Sequence, residues 1–170
     1  MGRQFQLHNV SVSRKIEEDL PPIYVNPNQL EQVLINVLTN ARQALDERTE
    51  EAESHGERFQ KRLVCRISRE NDRVVFEVAD NAVGVPDEIE TRIFEPFFTT
   101  KEVGQGTGLG LSIAHILVTR SLGGRIWVED NEMGGASFKV ALPIRAPTPS
   151  PSPNSGGGER GEASKKEAEK

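Results

Sequence analysis

Three amide side chains, Asn36, Asn40 and Gln43, follow one another at spacings of four and three. They run beside an apolar series, Leu30, Val33, Leu34, Val37, Leu38, Ala41 and Leu45, that also recurs at three and four. On a helix this places the amides on one face, next to the buried stripe. Asparagine is a mediocre helix former, so two of them one turn apart against an apolar stripe point to a task beyond solvation. The Asn40 carbonyl oxygen is a hard ligand suited to magnesium, which keeps several waters and takes other ligands from phosphates. Asp80 ends an apolar run and therefore lies in a place where a carboxylate needs a donor; closing a turn on its own backbone amides would also satisfy it. Gly84 has no side chain and lets backbone approach a flat ligand. In G-Q-G-T-G-L-G-L-S, Gly104 to Ser112, the residues Gly108, Leu109 and Gly110 stand at a helix start, where free amides and the helix dipole favour phosphate. Lys101, just before those glycines, is either a solvated loop lysine or a partner of a terminal phosphate.

The glycine-rich stretch is not a dinucleotide fingerprint. Read as G-x-G-x-x-G from Gly104 it puts Leu109 at the third glycine, and from Gly106 it puts Leu111 there. No Gly-Lys-Ser/Thr follows, which excludes a Walker loop. With 21 basic against 26 acidic residues and a net charge of -5, the chain has no overall pull toward nucleic acid. No apolar run approaches the roughly 18 residues that cross a bilayer, so no membrane contact is expected. Cys65 is the single cysteine, so neither an internal disulfide nor a zinc-ligand spacing exists, and a reducing, cytoplasmic setting fits.

The elements that must position these residues can be read in outline. Asn26 caps a helix that Pro27 opens and Gln29 supports, running to about Leu45. Asp46 to Glu57, acidic and without apolar periodicity, reads as a solvated loop. A first strand is placed between Phe5 and Val12. Strands over Lys61 to Arg69 and Arg73 to Asp80 form a hairpin around Asn71-Asp72, and a second hairpin joins Arg125 to Asp130 with Ala136 to Leu142. A short helix near Pro86 to Ile93 and one from about Gly108 to Ser121, stopped by Gly123-Gly124, complete the pattern. The domain is placed at residues 1–145. Residues 146–170, opening P-T-P-S-P-S-P-N-S-G-G-G, have a composition that favours a disordered tail.

Four patches, N-V-L-T-N-A (Asn36 to Ala41), D-N-A-V-G-V-P (Asp80 to Pro86), F-E-P-F-F-T-T-K (Phe94 to Lys101) and the glycine stretch from Gly104, stand in a fixed order. The order resembles the N, G1, F and G2 boxes of the ATP-binding catalytic domain of bacterial sensor histidine kinases, over about Phe5 to Ile144. That domain is grouped with the ATPase parts of type II topoisomerases, mismatch-repair MutL and Hsp90. The resemblance implies an α/β fold, the two-layer Bergerat sandwich with helices on one face of a mixed sheet, and ATP with Mg2+ as ligands. It implies nucleotide contacts from Asn36, Asn40, Gln43, Asp80, Gly84, Val85, Thr100, Lys101, Gly106, Thr107, Gly108, Leu109 and Gly110. Asn40 would hold the metal, and Asn36 and Lys101 would serve the chemistry. Asp80 would accept the exocyclic amine of adenine. Phe94, Phe97 and Phe98 would anchor the base of a lid on the core.

Asn36 stands where hydrolysing relatives carry a glutamate base, and a carboxamide cannot take up a proton, so the resemblance favours phosphotransfer. The chain departs from the family pattern at Ala82, often glycine, at Gln43, often lysine, and at Ala136, often threonine. Ser137, beside Ala136, should face the other side of its strand. None of His8, His55 and His115 precedes an acidic residue as a phosphoacceptor histidine does. The implied partners are therefore a histidine-bearing dimerisation domain elsewhere in a parent protein and a response regulator receiver domain. The fragment itself is expected to be monomeric and to bind no nucleic acid. Two other readings stay open: an anti-sigma-type serine kinase, and a nucleotide-dependent docking module without transfer activity.

Overall fold

The computed structural model describes residues 9–101 and 106–144. Strand β1 (Ser11–Ile16) is followed by the long helix α1 (Pro27–Ser54), then by β2 (Arg62–Glu70) and β3 (Arg73–Asp80). After two short 3-10 turns come helix α2 (Gly110–Ile116) and strands β4 (Arg125–Asp130) and β5 (Ala136–Pro143). The five strands lie in the order β1-β2-β3-β5-β4. β1 runs parallel to β2 and the other pairs are antiparallel, so the expected mixed sheet is present.

The strand period of two sorts the side chains onto two faces. Leu63, Val78, Phe138, Val140 and Leu142 point to the helices, where they close a core with Val33, Val37, Ala41 and Leu45 of α1 and with Ala114 and Val118. The opposite face carries charge. Lys15, Arg66, Glu77, Lys139 and Trp127 lie abreast across all five strands, Arg66 pairs with Glu77 and Lys139 with Glu129. Ser137 indeed turns to this side, donating to Glu77 Oε1 at 2.9 Å.

α1 begins as the sequence indicates. Asn26 Oδ1 accepts the amides of Asn28 and Gln29 at 3.0 and 3.3 Å, and Pro27 opens the first turn. The helix does not stop at Leu45, and the acidic stretch from Asp46 is not a loop; it continues the helix to Ser54. Arg42 holds Asp46 one turn on at 2.6 Å, and Thr49 Oγ1 donates to the Leu45 carbonyl at 2.7 Å. Lys61 reaches Asp46 from the far side of the connection, and Arg48 lies over the Phe59 ring. Ala52, the stretch's sole apolar residue, is buried. Tertiary and charge contacts thus replace the apolar periodicity that a sequence reading requires.

Three further expectations need correction. The described first strand is Ser11–Ile16, with Val12 near its start, because its register follows β2; Phe5 to His8 lie outside the described residues. The segment after Pro86 forms two 3-10 turns, Asp87–Ile89 and Arg92–Phe94, instead of one helix. Neither turn has a buried residue to pin a longer element. The helix expected from Gly108 starts at Gly110, and from Leu117 to Ser121 it widens into a π turn. The proposed tail and residues 102–105, which include the start of the glycine stretch, lie outside the described residues.

Candidate functional site

α1, the phenylalanine-rich segment and the start of α2 enclose a cavity of about 360 Å³. Its wall brings together Asn36, Asn40 and Gln43 from the helix with Thr100, Lys101, Gly106, Thr107, Gly108 and Gly110. These are nine of the thirteen residues singled out as ligand contacts. The four not on this wall are Asp80, Gly84, Val85 and Leu109. The wall also includes Thr39, Ile93, Phe98, Thr99 and Leu111, of which the sequence singled out Phe98 as an anchor of the lid's base and none as a ligand contact.

The amides of α1 share one face, on the cavity wall. Asn36 Oδ1 accepts from Gln32 Nε2 at 3.1 Å, one turn back. Its Nδ2 is buried and has no partner, a costly condition that an acceptor in the cavity would relieve. The Asn40 side chain makes no hydrogen bond among the described residues, so its carbonyl oxygen is available to the cavity. Lys101 is not solvated. Its ammonium donates to Gln43 Oε1 at 2.6 Å and lies 3.2 Å from Glu47 Oε1, with only 16% of the side chain exposed. A lysine charge therefore stands at the tip of position 43 although the residue there is glutamine. Glu47 was not legible in the sequence as part of the site.

The segment over the cavity is closed at its stem by backbone. Phe97 donates its amide to the Gly108 carbonyl at 3.0 Å. A Cβ on Gly108 would lie 2.5 Å from the Phe97 carbonyl carbon, so only glycine admits this crossing. Phe97 itself has φ 66° and is 75% exposed. The expectation that all three phenylalanines bury the stem is thus corrected: Phe94 packs on the core and against His115, Phe98 lines the cavity under Arg92, and Phe97 acts through its main chain. At the helix start Thr107 Oγ1 accepts the Leu109 amide at 3.4 Å, which explains why Leu109 stands back from the cavity.

Asp80 ends β3, 1% exposed. Its Oδ1 accepts two amides, Ala82 at 3.0 Å and Ala136 at 3.4 Å. Its Oδ2 has no partner among the described residues. Burial pushes the carboxyl above its ordinary range, and the two backbone bonds pull part of the way back. One oxygen closes the turn, as one of the two sequence readings of this residue has it, and the other carries no hydrogen bond from the described residues. Ala82 is accommodated because its φ is not positive, whereas Gly84, at φ 77°, needs the freedom of glycine. The β4–β5 hairpin seals this end: a Cβ on Gly135 would meet Asp80 O at 2.4 Å and Asp80 Oδ1 at 2.6 Å. Gly135 and Asn131, which donates to Asp80 O at 2.9 Å, were absent from the sequence reading.

The arrangement has two chemical ends. One is a cavity lined with hard oxygen, amide and ammonium groups suited to phosphates and a divalent cation. The other is a buried carboxylate oxygen suited to a ring amine. Among the described residues no group of three or more His, Cys, Asp or Glu is placed to hold a metal ion.

Residues 25–146 match the family model described as histidine kinase-, DNA gyrase B-, and HSP90-like ATPase. The chain is 43% identical over 129 residues to sensor kinase CckA of Brucella abortus (strain 2308), covering 74% of this chain and 13% of that protein. Three such curated relatives are matched over only 13%, 18% and 15% of their own lengths. Among solved structures, the nucleotide-free catalytic domain of histidine kinase ThkA superposes with a TM-score of 0.69 at 27% identity, covering 84% of each chain. Histidine kinase ThkA in complex with response regulator protein TrrA gives a TM-score of 0.64 at 25% identity, covering 85% of this chain and 37% of that one.

Proposed function

We propose, from the premise that this chain belongs to the histidine kinase-, DNA gyrase B- and HSP90-like ATPase family, that it is the catalytic domain that presents Mg-ATP for transfer of the γ-phosphoryl group to a histidine on a separate domain. ATP binding follows from the family. The transfer and its acceptor are the reading that the cavity supports, because Asn36, Asn40 and Gln43 of α1 meet Lys101 and Gly106 to Gly110 around one space.

Asp80 Oδ2 accepts the adenine amine, while the Ala82 and Ala136 amides hold the carboxylate in place. Gly84, and Val85 packed on the core, form the bed of the ring. The unpaired Asn36 Nδ2 donates to a phosphate oxygen. Asn40 would hold a magnesium ion, which would supply charge neutralisation for the phosphates. Lys101, held on Gln43 and Glu47, neutralises charge at the terminal phosphate. Thr100, Gly106, Thr107, Gly108, Leu109 and Gly110 belong to the lid that excludes water. No described residue on the cavity wall is a carboxylate or histidine, so the described wall offers no general base to activate water. This favours transfer over hydrolysis. The acceptor histidine and a response regulator are contributed from outside this chain, as the complex of ThkA with TrrA illustrates for that kinase.

The test is incubation of the chain with γ-labelled Mg-ATP and the helical, histidine-bearing domain of its parent protein. The expected product is an acid-labile, base-stable label on that domain. An acid-stable label on a hydroxyl-bearing acceptor would assign the serine-kinase reading, and no label with tight ATP binding would assign a docking module.

A further inference from the structure

The nucleotide-binding reading assigns no task to the tip of the β4–β5 hairpin, yet that tip is built onto Asp80. β3 pairs with β5 as far as Ala79 opposite Ser137. Asp80 lies one residue beyond, so on the β5 side its carbonyl has no strand partner. Asn131 takes that role, with Nδ2 donating to Asp80 O at 2.9 Å. Its other amide atom faces inward: Oδ1 accepts the Met133 amide at 2.8 Å. The tip is closed by Asn131 N donating to Gly135 O at 3.0 Å and Gly134 N to Asn131 O at 3.1 Å. One residue on from Gly135, the Ala136 amide reaches Asp80 Oδ1. Gly84 is drawn into the same packing, since a Cβ there would lie 3.1 Å from Asp130 Oδ1 and 3.8 Å from Gly135.

We infer that Asn131 is a positioning residue for base recognition. It clips the hairpin to the Asp80 main chain and so fixes the aim of the one carboxylate oxygen left for the purine. The inference rests on the ATP-binding reading. Asn131 touches no nucleotide; it acts through Asp80 and through the Ala136 amide that its hairpin presents. Two amide atoms with two different partners make the role separable. Aspartate at this position keeps the acceptor for Met133 and loses the donor to Asp80, and serine removes the clip without adding charge.

The test compares the chain with its Asn131→Asp and Asn131→Ser variants by calorimetry with Mg-ATP, Mg-ADP and Mg-GTP, with thermal melting alongside. Loss of this half-buried hydrogen bond and of the orientation it holds is expected to weaken ATP and ADP on the order of tenfold. The preference for ATP over GTP should fall by the same factor, while the ratio of ATP to ADP affinity stays unchanged because the phosphate end is untouched. An unchanged preference for ATP over GTP in both variants overturns the inference. So does an equal loss for ATP and GTP, which is what a merely structural residue would give. A parent chain that does not itself prefer ATP to GTP overturns the underlying reading of Asp80; parental preference retained by both variants overturns the role of Asn131 alone.

Discussion

Replacing Asp80 with asparagine separates recognition from stability, and the structure sets the direction of both. Oδ1 accepts the Ala82 and Ala136 amides, so an asparagine must keep its carbonyl oxygen there and turn its NH2 to the position of Oδ2. A donor then faces the adenine amine, also a donor. Losing a hydrogen bond to a charged, buried acceptor costs about 1.5 to 3 kcal/mol, which is a drop in ATP affinity of roughly 10- to 150-fold. Guanine, with an acceptor at the corresponding ring position, should lose little or gain, so the preference for ATP over GTP should collapse. Stability moves the other way. The folded carboxyl is raised, first by burial, so the folded state favours the protonated form. Its contribution is fully present below the unfolded value of about 4 and is lost as pH rises through the higher folded value. At neutral pH the nucleotide-free fold therefore bears the strain of a buried anion, and Asp80→Asn should melt higher than the parent, with the difference shrinking as pH falls toward 4. Calorimetry with the two nucleotides and melting curves across pH 4 to 8 test both halves. A variant that binds ATP as before, or that melts lower at pH 7 than at pH 4 relative to the parent, would refute the account of the carboxylate.

The remaining predictions concern the other end of the site and the hairpin. Lys101→Ala should weaken ATP by about 1.5 to 3 kcal/mol, the worth of a charge-assisted bond, and ADP much less; competition binding that shows equal losses would place Lys101 away from the terminal phosphate. Gly135→Ala, with its Cβ 2.4 Å from Asp80 O, should destabilise by about 1 to 3 kcal/mol and lower the melting temperature by several degrees, whereas Gly134→Ala, with no atom within 4 Å, meets no such clash and is strained only by its positive φ. The chain alone, lacking an acceptor histidine, should acquire no label from γ-labelled ATP and hydrolyse it far below about 10 per second, a typical enzyme's rate; brisk turnover would restore the hydrolase reading that Asn36 argues against. Ala52→Asp, at a position 1% exposed, should fray the end of α1 and lower stability by about 2 kcal/mol or more, and an unchanged melting curve would show that the acidic stretch is not anchored there.

Much of the site was legible because its signals are local. The helical spacing of Asn36, Asn40 and Gln43 fixes their common face wherever α1 packs, and the glycines from Gly106 to Gly110 and the strand ending at Asp80 are runs of adjacent residues. β3 was read at its observed bounds, Arg73–Asp80, because apolar residues and a turn mark both ends. The acidic half of α1 was not legible, since its helical state rests on the one-turn pair of Arg42 with Asp46 and on Lys61 and Phe59 from beyond the helix, contacts that leave no apolar period.

The sequence by itself determined the candidate groups of the site: an amide row on a helix, a carboxylate at a strand end, a glycine-rich helix start, and an amide without basicity at Asn36. Only the tertiary structure decided how those groups are held. Lys101 rests on Gln43 and Glu47, 58 residues away in the first case. The Asp80 oxygens are assigned by Ala136 and the Asp80 carbonyl by Asn131, 56 and 51 residues away. The physical reason is that hydrogen bonds of this kind depend on ångström-scale approach between strands and helices distant in sequence. A side-chain period records which face a residue occupies, and it carries no record of which distant atom will come within 3 Å of it.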